Sequence, residues 1–188
     1  MPIRLLIACL SMTLASMAAH AERADSKQPV NIEADRVSVD DRNKTHTFEG
    51  NVILSQGTLS IRGNRLVVTQ NEDGFQKGVA IGGADGRASF RQRREGRNEF
   101  VEGLAEKIEY DGRTEKATLV GRAEVRSGGD LVKGQYIEYD GMTENYLVTN
   151  GRAPGTSSSE SSPRVKAVIQ PKGIPSAPAT TPQSPGSN

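Results

Sequence analysis

Short runs of alternating apolar and polar residues fill the middle of the chain, and glycines separate them. The apolar-rich runs lie at residues 37–39, 48–54, 59–61, 66–68, 117–120 and 136–139. Runs rich in β-branched and aromatic residues and bounded by turn residues predict strands. No window of about eleven residues has the period of an amphipathic helix, and glycine interrupts most candidates. The pattern therefore predicts an all-β domain.

An internal repeat strengthens this prediction. Residues 34–66 align without a gap on residues 105–137, and three glycines of the first segment fall on glycines of the second. A shorter match joins residues 110–115 to residues 139–144, and both begin with Tyr-Asp-Gly. An Asp-Gly pair between apolar runs is typical of a tight hairpin turn in which glycine adopts a positive φ. We expect stacked strand-turn units that bury their apolar faces against their neighbours.

Proline sets the limits of the predicted domain. Seven of the nine prolines lie from Pro154 to Pro185, and none lies between Val30 and Gly151. Because proline cannot donate a ladder hydrogen bond, the proline-free stretch predicts a sheet. We therefore expect the segments to be divided as follows: a lead-in at 22–29, a β domain at 30–151, a Ser/Gly-rich linker at 152–163, a last short strand at 164–170 and a disordered tail at 171–188.

The N-terminus has the composition of a secretory signal peptide. Arg4 precedes an apolar run at residues 5–19, and Ala-His-Ala follows at residues 19–21, which predicts cleavage after Ala21. A lipoprotein box ending at Cys9 is the alternative, but the apolar run continues well beyond that cysteine. A signal peptide at residues 1–21 predicts export to the periplasm. The mature chain then has no cysteine, which excludes disulfides and thiol chemistry.

Few residues of the mature chain suit catalysis or metal binding. His46 is the one histidine outside the signal peptide, tryptophan is absent, and no Gly-x-Ser-x-Gly motif occurs. The adjacent carboxylates Asp40 and Asp41 are typical of a solvated turn. We expect no enzyme activity, no metal and no cofactor. Without Arg4, 23 basic residues balance 23 acidic ones, so no net field favours nucleic acid.

Four arginines form the densest charge cluster of the chain, at Arg91, Arg93, Arg94 and Arg97. One interpretation is a solvated hairpin tip beside Gly96. The other is contact with phosphate groups of an anionic ligand, because the guanidinium group binds phosphate in a bidentate geometry. The sequence leaves both interpretations open.

Ordered motifs carry a resemblance to a known family. They include Gln-Pro-Val-Asn-Ile-Glu-Ala-Asp at residues 28–35, Phe-Glu-Gly-Asn-Val at 48–52 and Gln-Gly-Thr-Leu at 56–59. Over about residues 29–169 the chain resembles the LptA/OstA family of periplasmic lipopolysaccharide-transport proteins. The resemblance implies an open, twisted β-jelly roll of many short antiparallel strands with a V-shaped apolar groove. It also implies a non-enzymatic carrier that bridges the inner and outer membranes and shelters lipid A acyl chains.

The resemblance and the strand alternation together nominate lipid-binding residues and partners. The predicted lipid-binding residues are Val30, Ile32, Phe48, Leu66, Phe90, Ile108 and Tyr110. Gly112 departs from the family, which has a bulkier apolar residue in the groove there. The implied ligand is lipopolysaccharide. The implied protein partners are an LptC-like inner-membrane protein at the N-terminal edge, an LptD-like outer-membrane protein at the C-terminal edge, and further copies of the chain stacked head to tail by β-augmentation.

Three other interpretations are compatible with parts of this pattern. A secreted structural β-repeat domain would use its whole apolar face for its own core and bind no lipid. A secreted carbohydrate-active enzyme would need a pair of carboxylates in a cleft, and the lack of tryptophan argues against it. An LptC-like protein would share the fold but keep an N-terminal anchor. Lipid binding separates the carrier from the structural domain.

Overall fold

The computed structural model describes residues 25–72, 74–150 and 164–170. Twelve strands and one turn of 3-10 helix (Ala84–Gly86) form the domain, and these residues include no α-helix. The all-β prediction is confirmed, and every run predicted as a strand lies in one. The strands are β1 (Asn31–Glu33), β2 (Arg36–Asp40), β3 (Thr45–Gln56), β4 (Leu59–Asn71), β5 (Gly74–Ile81), β6 (Ala88–Arg93), β7 (Phe100–Ala105), β8 (Lys107–Asp111), β9 (Lys116–Ser127), β10 (Asp130–Asp140), β11 (Asn145–Thr149) and β12 (Lys166–Val168).

The antiparallel pairings arrange the strands in two walls that share four long strands. One half of β3, β4, β9 and β10 pairs in wall A, in the order β2-β3-β4-β5-β8-β9-β10-β11. The other half pairs in wall B, in the order β1-β3-β4-β6-β7-β9-β10-β12. The result is the twisted β-jelly roll that the resemblance implies. Strands β1 and β2 form one open end of the walls, and β11 and β12 form the other.

Bulges bend the long strands where they pass from one wall to the other. Gly50 has φ 80° and Gly121 has φ 79°, and the β3–β4 register shifts between Glu49 and Val52. A Cβ atom at Gly50 would collide with the Asp35 carboxylate, and one at Gly121 would collide with the Glu106 carboxylate. Glycine is favoured at both positions because the backbone is left-handed and a side chain would have to displace the neighbouring carboxylate.

The sequence repeat is a structural repeat. Strands β2, β3 and β4 correspond to β8, β9 and β10, and the equivalent bulges have the same hydrogen bonds. The Asp35 amide donates to the Gly50 carbonyl oxygen at 3.1 Å, and the Glu106 amide donates to that of Gly121 at 3.0 Å. The domain is therefore built from two copies of a unit, β1–β6 and β7–β12, whose walls continue into each other.

The hairpin turns differ from the prediction. Gly112 and Gly141 are not in the left-handed region; the positive φ falls instead on Glu115 (52°) and Glu144 (55°). Asp111 holds its turn by accepting hydrogen bonds from the amides of Arg113 and Thr114, both at 3.0 Å. The prediction of a tight Asp-Gly turn was wrong because the aspartate side chain caps a longer turn, as short polar side chains commonly do.

The chain crosses between the walls on one side of the molecule. We call this side the spine; it contains residues 34–35, the bulges, residues 82–87 and Glu106. The opposite side, the mouth, consists of hairpin turns. Lip A contains the wall A turns at residues 41–44, 112–115 and 141–144, and lip B contains the wall B turns at 57–58, 94–99 and 128–129. In the described ranges no chain segment joins lip A to lip B.

Candidate functional site: the apolar interior and its mouth

Rows of apolar side chains cross each wall from edge to edge on the face toward the other wall. Directly opposed residues of paired strands share a face, so the register defines each row. One wall A row is Val37, Phe48, Leu66, Ala80, Ile108, Leu119, Ile137 and Val148. The matching wall B row is Ile32, Leu54, Ile61, Phe90, Gly103, Val125, Val132 and Ala167.

The middle of these rows is closed and the ends are open. Leu66, Ile108 and Leu119 are at most 1% exposed, whereas Val37 at the β2 edge is 54% exposed. A second wall A row behaves alike: Val39 at one edge is 53% exposed and Tyr146 at the other is 40% exposed. The apolar interior therefore reaches both ends of the domain.

The structure brings the predicted lipid-binding residues into one apolar cluster. Leu66, Phe90, Ile108 and Tyr110 are buried in its centre. The other three, Val30, Ile32 and Phe48, are partly buried and pack against it at the β1–β2 end. In this conformation the cluster is enclosed between the walls.

Several interior residues were not predicted from the sequence, although the repeat contains the signal for them. Leu119 and Ile137 occupy the positions of Phe48 and Leu66 in the second unit, and both are fully buried. Tyr139 likewise repeats the buried position of Val68. Copying the first unit's inward positions onto the second unit would have found all three.

Gly112 lies beside an aromatic side chain that takes its place in the interior. A Cβ atom at Gly112 would lie 2.8 Å from Phe75 Cδ1. The Phe75 ring stacks on Tyr110 with centroids 6.4 Å apart, and Tyr110 packs on Phe90 at 6.1 Å. The apolar surface that Gly112 lacks is therefore supplied by the neighbouring strand β5.

Polar groups line the mouth above this aromatic cluster. Burial raises the pKa of Tyr139 to about 12, and burial also raises the pKa of Tyr110. Gln92 is 9% exposed, and its amide oxygen finds no donor in the part of the chain that the structure describes. Arg94 of lip B donates hydrogen bonds from Nε (3.2 Å) and from a terminal nitrogen to Glu144 Oε2 of lip A. Hydrogen bonding to Arg94 lowers the pKa of Glu144.

The structure separates the four clustered arginines. Arg91 is on the outer face of wall B, where it pairs with Glu102 at 3.0 Å and lies 3.6 Å from the Phe100 ring centre. Arg93 and Arg97 are exposed. Arg94 is the cluster member whose side chain is largely buried at the mouth, at 15% exposure, and it also pairs with Glu99 at 3.1 Å. The segment forms a hairpin turn in which Arg94 and Arg97 both lie near Glu144, whereas Arg91 lies on the outer face of wall B.

The predicted lead-in and last strand both lie against the β domain. The N-terminal lead-in contacts the β3–β4 turn, where Asp25 Oδ1 accepts from the Thr58 amide at 2.7 Å. Strand β12 pairs with β10 in wall B. The predicted signal peptide, linker and tail lie outside the described residues. In residues 25–72, 74–150 and 164–170 no three His, Cys, Asp or Glu side chains could hold a metal ion.

Comparisons with known proteins agree with this geometry. Residues 31–145 match the family described as LptA/(LptD N-terminal domain) LPS transport protein. The chain belongs to this family. As a member of this family, the chain has a role in lipopolysaccharide transport. Within residues 25–72, 74–150 and 164–170 this chain has no helix long and apolar enough to cross a membrane.

Named members of the LPS transport family cover most of the chain. The lipopolysaccharide export system protein LptH of Pseudomonas aeruginosa is 29% identical over 89% of this chain and 93% of its own length. The protein LptA of Escherichia coli K12 is 34% identical over 69% of each chain. The crystal structure of LptH, the LptA-homologous periplasmic component of the lipopolysaccharide transport device, superposes with a TM-score of 0.69 at 26% identity, covering 79% of this chain and 99% of LptH.

Proposed function

We propose that this chain is a non-enzymatic periplasmic carrier that shelters the lipid A acyl chains of lipopolysaccharide between walls A and B. The observation that carries the proposal is the pair of apolar rows that run from one open end to the other. Each methylene group moved from water into such an interior contributes about 0.8 kcal/mol. By contrast, a depression of about 470 Å³ on the outer face of wall B is lined by charged side chains, including Arg62, Glu102 and Arg126.

Acyl chains would contact the row residues that the sequence nominated. We propose Val30, Ile32, Phe48, Leu66, Phe90, Ile108 and Tyr110 as that surface, because all seven belong to or pack on the enclosed cluster. Their burial means that the walls must move apart to admit a lipid. The mouth is the side where they can do so, since in the described chain only side chains bridge the two lips there.

Photo-crosslinking tests this placement. A benzophenone amino acid at Phe48 should form an adduct with lipopolysaccharide, because this partly buried residue faces the interior at the open end. The matched control is Glu49, the next residue on β3, whose side chain faces outward and pairs with Arg36. Labelling at both positions, or at neither in a folded protein, would favour the structural β-repeat without a lipid ligand.

The proposed bridge requires copies to join end to end, and the internal repeat supplies a register for that junction. Within the chain, β5 of the first unit pairs with β8 of the second, with Ala80 opposite Ile108 and Gly78 opposite Tyr110. In the second unit β11 pairs with β10, just as β5 pairs with β4 in the first unit. Strand β2 of a second copy is equivalent to β8. The same pairing would set Val148 opposite Val37 and Tyr146 opposite Val39 of the next copy, which would continue both wall A rows.

Partners with the same fold would use the same edges. We propose that an LptC-like protein of the inner membrane pairs at β1–β2 and an LptD-like protein of the outer membrane pairs at β11–β12. Unpaired N–H and C=O groups at a sheet edge favour such strand addition.

Disulfide crosslinking tests the register of this junction. The described residues contain no cysteine, so engineered pairs can be read directly. A chain with Val39→Cys and Tyr146→Cys should form a ladder of oligomers on mild oxidation, because the two positions would be opposed across the junction. A chain with Val39→Cys and Leu147→Cys is the control, since Leu147 is on the opposite face of β11. Equal ladders would contradict the register.

A further inference from the structure

The ion pair between Arg94 and Glu144 joins two lips that no described chain segment connects. Arg94 follows β6 in wall B, and Glu144 precedes β11 in wall A. Two guanidinium nitrogens of Arg94 donate to the same carboxylate oxygen. Both side chains are largely buried, at 15% and 24% exposure, so water screens the pair less than the outer pair of Arg91 and Glu102, at 52% and 53%. The pair therefore holds the mouth closed at this point.

A lipid with acyl chains between the walls would extend through the mouth. Its sugar and phosphate groups cost too much to bury without partners, so they must remain at the lips while the acyl chains occupy the interior. Arg94 is at this boundary, close enough to the Tyr139 hydroxyl group to interact with it electrostatically. A guanidinium group binds phosphate and carboxylate oxygens by the same bidentate geometry. A lipid phosphate could thus replace the Glu144 carboxylate on Arg94.

A second observation at the same place indicates a ligand. Gln92 precedes Arg94 by two residues, and a Cβ atom on Gly141 of lip A would be 3.7 Å from Gln92 Oε1. This buried oxygen meets no hydrogen-bond partner in the described ranges, and the rest of the Gln92 amide lies beside the Tyr110 hydroxyl. Buried polar atoms without partners are uncommon in folded proteins. An N–H or O–H group of an acylated sugar at the mouth would satisfy it.

We propose that the Arg94–Glu144 pair is a latch across the mouth and that a phosphate group of the bound lipid displaces Glu144 from Arg94, while Gln92 accepts a hydrogen bond from the sugar. This inference rests on the proposed carrier function and specifies how that function selects its lipid. The exchange keeps Arg94 paired in both states. It couples opening of the mouth to the arrival of an anionic head group.

Lipid binding by matched variants tests the exchange. The probes are lipid A with two phosphates and the same lipid after dephosphorylation, both in detergent. Glu144→Gln removes the competitor for Arg94 and should bind phosphorylated lipid A about tenfold more tightly, whereas Arg94→Gln should lose about tenfold and bind the two lipids alike. Glu102→Gln, in the outer ion pair, is the control and should match the unaltered chain.

Spin labels across the mouth test the opening itself. The labels are attached at two exposed positions, through Asn98→Cys on lip B and Met142→Cys on lip A. The distance between their labels should increase when phosphorylated lipid A binds, and Glu144→Gln should show part of this increase without lipid. Inorganic phosphate alone, at the same phosphate concentration, should not open the mouth. Opening by inorganic phosphate would overturn the assignment of the site to a lipid.

The outcomes separate this inference from the carrier function. If both lipids bind equally to the unaltered chain and label Phe48, the carrier proposal stands and the latch exchange is wrong. An Arg94→Gln variant that still prefers phosphorylated lipid A would also overturn the exchange. If neither lipid binds or labels Phe48, the carrier proposal and the latch exchange both fail.

Discussion

The spine and the mouth hold the same two walls together by different means. At the spine the chain passes repeatedly from wall to wall, and backbone hydrogen bonds tie Asp35 to Gly50 and Glu106 to Gly121. At the mouth, side chains such as those of Arg94 and Glu144 make the connection. Covalent passages cannot separate without unfolding, whereas a salt bridge can break and re-form. The proposed opening would therefore separate the walls at the mouth and leave the spine intact.

Replacing a spine glycine should have the largest effect on stability. Gly50→Ala places a side chain in a left-handed conformation and within 2.8 Å of the Asp35 Cβ atom, which should lower the free energy of unfolding by about 3 kcal/mol. The control is Gly96→Ala in lip B, where φ is 65° but nothing is within 4 Å; there we expect about 1 kcal/mol. Urea unfolding measures both. Equal losses would mean that crowding at the spine contributes nothing.

The aromatic surface beneath the mouth should give the next largest effect. Gly112→Leu overpacks against Phe75 and should cost about 2 kcal/mol. Combining it with Phe75→Ala should restore part of that loss, because the leucine then fills the space the ring has left. The double-mutant cycle should therefore give a coupling free energy of at least about 1 kcal/mol. Additive losses would show that the two positions do not share one space.

The aspartate cap of a lip A turn should contribute less to stability than the spine glycine or the aromatic packing. Asp111→Ala removes the acceptor for the amides of Arg113 and Thr114 and should cost about 1 kcal/mol. Hydrogen exchange should speed up at these two amides and stay unchanged at the spine amide of Glu106. Faster exchange at Glu106 as well would mean that lip A and the spine unfold together.

The sequence predicts the spine better than the mouth. Gly50 and Gly121 are conspicuous because the repeat places them in register, and local alternation of apolar residues identifies the strands around them. Those signals depend on neighbouring residues or on a constant spacing. The bulge itself follows from glycine's access to left-handed backbone conformations.

The contacts of the mouth have no such local signal. Arg94 and Glu144 are fifty residues apart. The sequence singles out Arg94 in the arginine cluster and Glu144 in the shorter repeat, but no spacing or motif pairs the two residues. The place of Phe75 beside Gly112 depends on the register between β5 and β8, where Gly112 N donates to the Gln76 carbonyl oxygen at 3.0 Å. The prediction of tight Asp-Gly turns failed because it considered only neighbouring residues. Gly141 is needed because a Cβ atom there would lie 2.8 Å from the carbonyl oxygen of Glu115, which belongs to another turn.

Acid should weaken the Arg94–Glu144 latch, and the expected loss of stability is the smallest of these predictions. Hydrogen bonding from Arg94 lowers the pKa of Glu144 below 4.5, and the Asn43 side chain lowers that of Asp40. A carboxylate with a lowered folded-state pKa stabilises the fold above its unfolded-state pKa, and this stability is lost as the pH falls through the folded-state value. Between pH 7 and about pH 5 the latch should hold, and below about pH 4.5 it should weaken progressively.

The Glu144→Gln variant isolates the contribution of the latch to this pH dependence. The glutamine cannot ionise, so its unfolding free energy should fall less steeply below pH 4.5 than that of the unaltered chain, by under about 1 kcal/mol in total. The spin-label distance across the lips should increase on acidification in the unaltered chain and change little in the variant. A distance that widens equally in both would place the acid-sensitive contact elsewhere in lip A, at the caps of Asp40, Asp111 and Asp140, whose pKa values are also lowered.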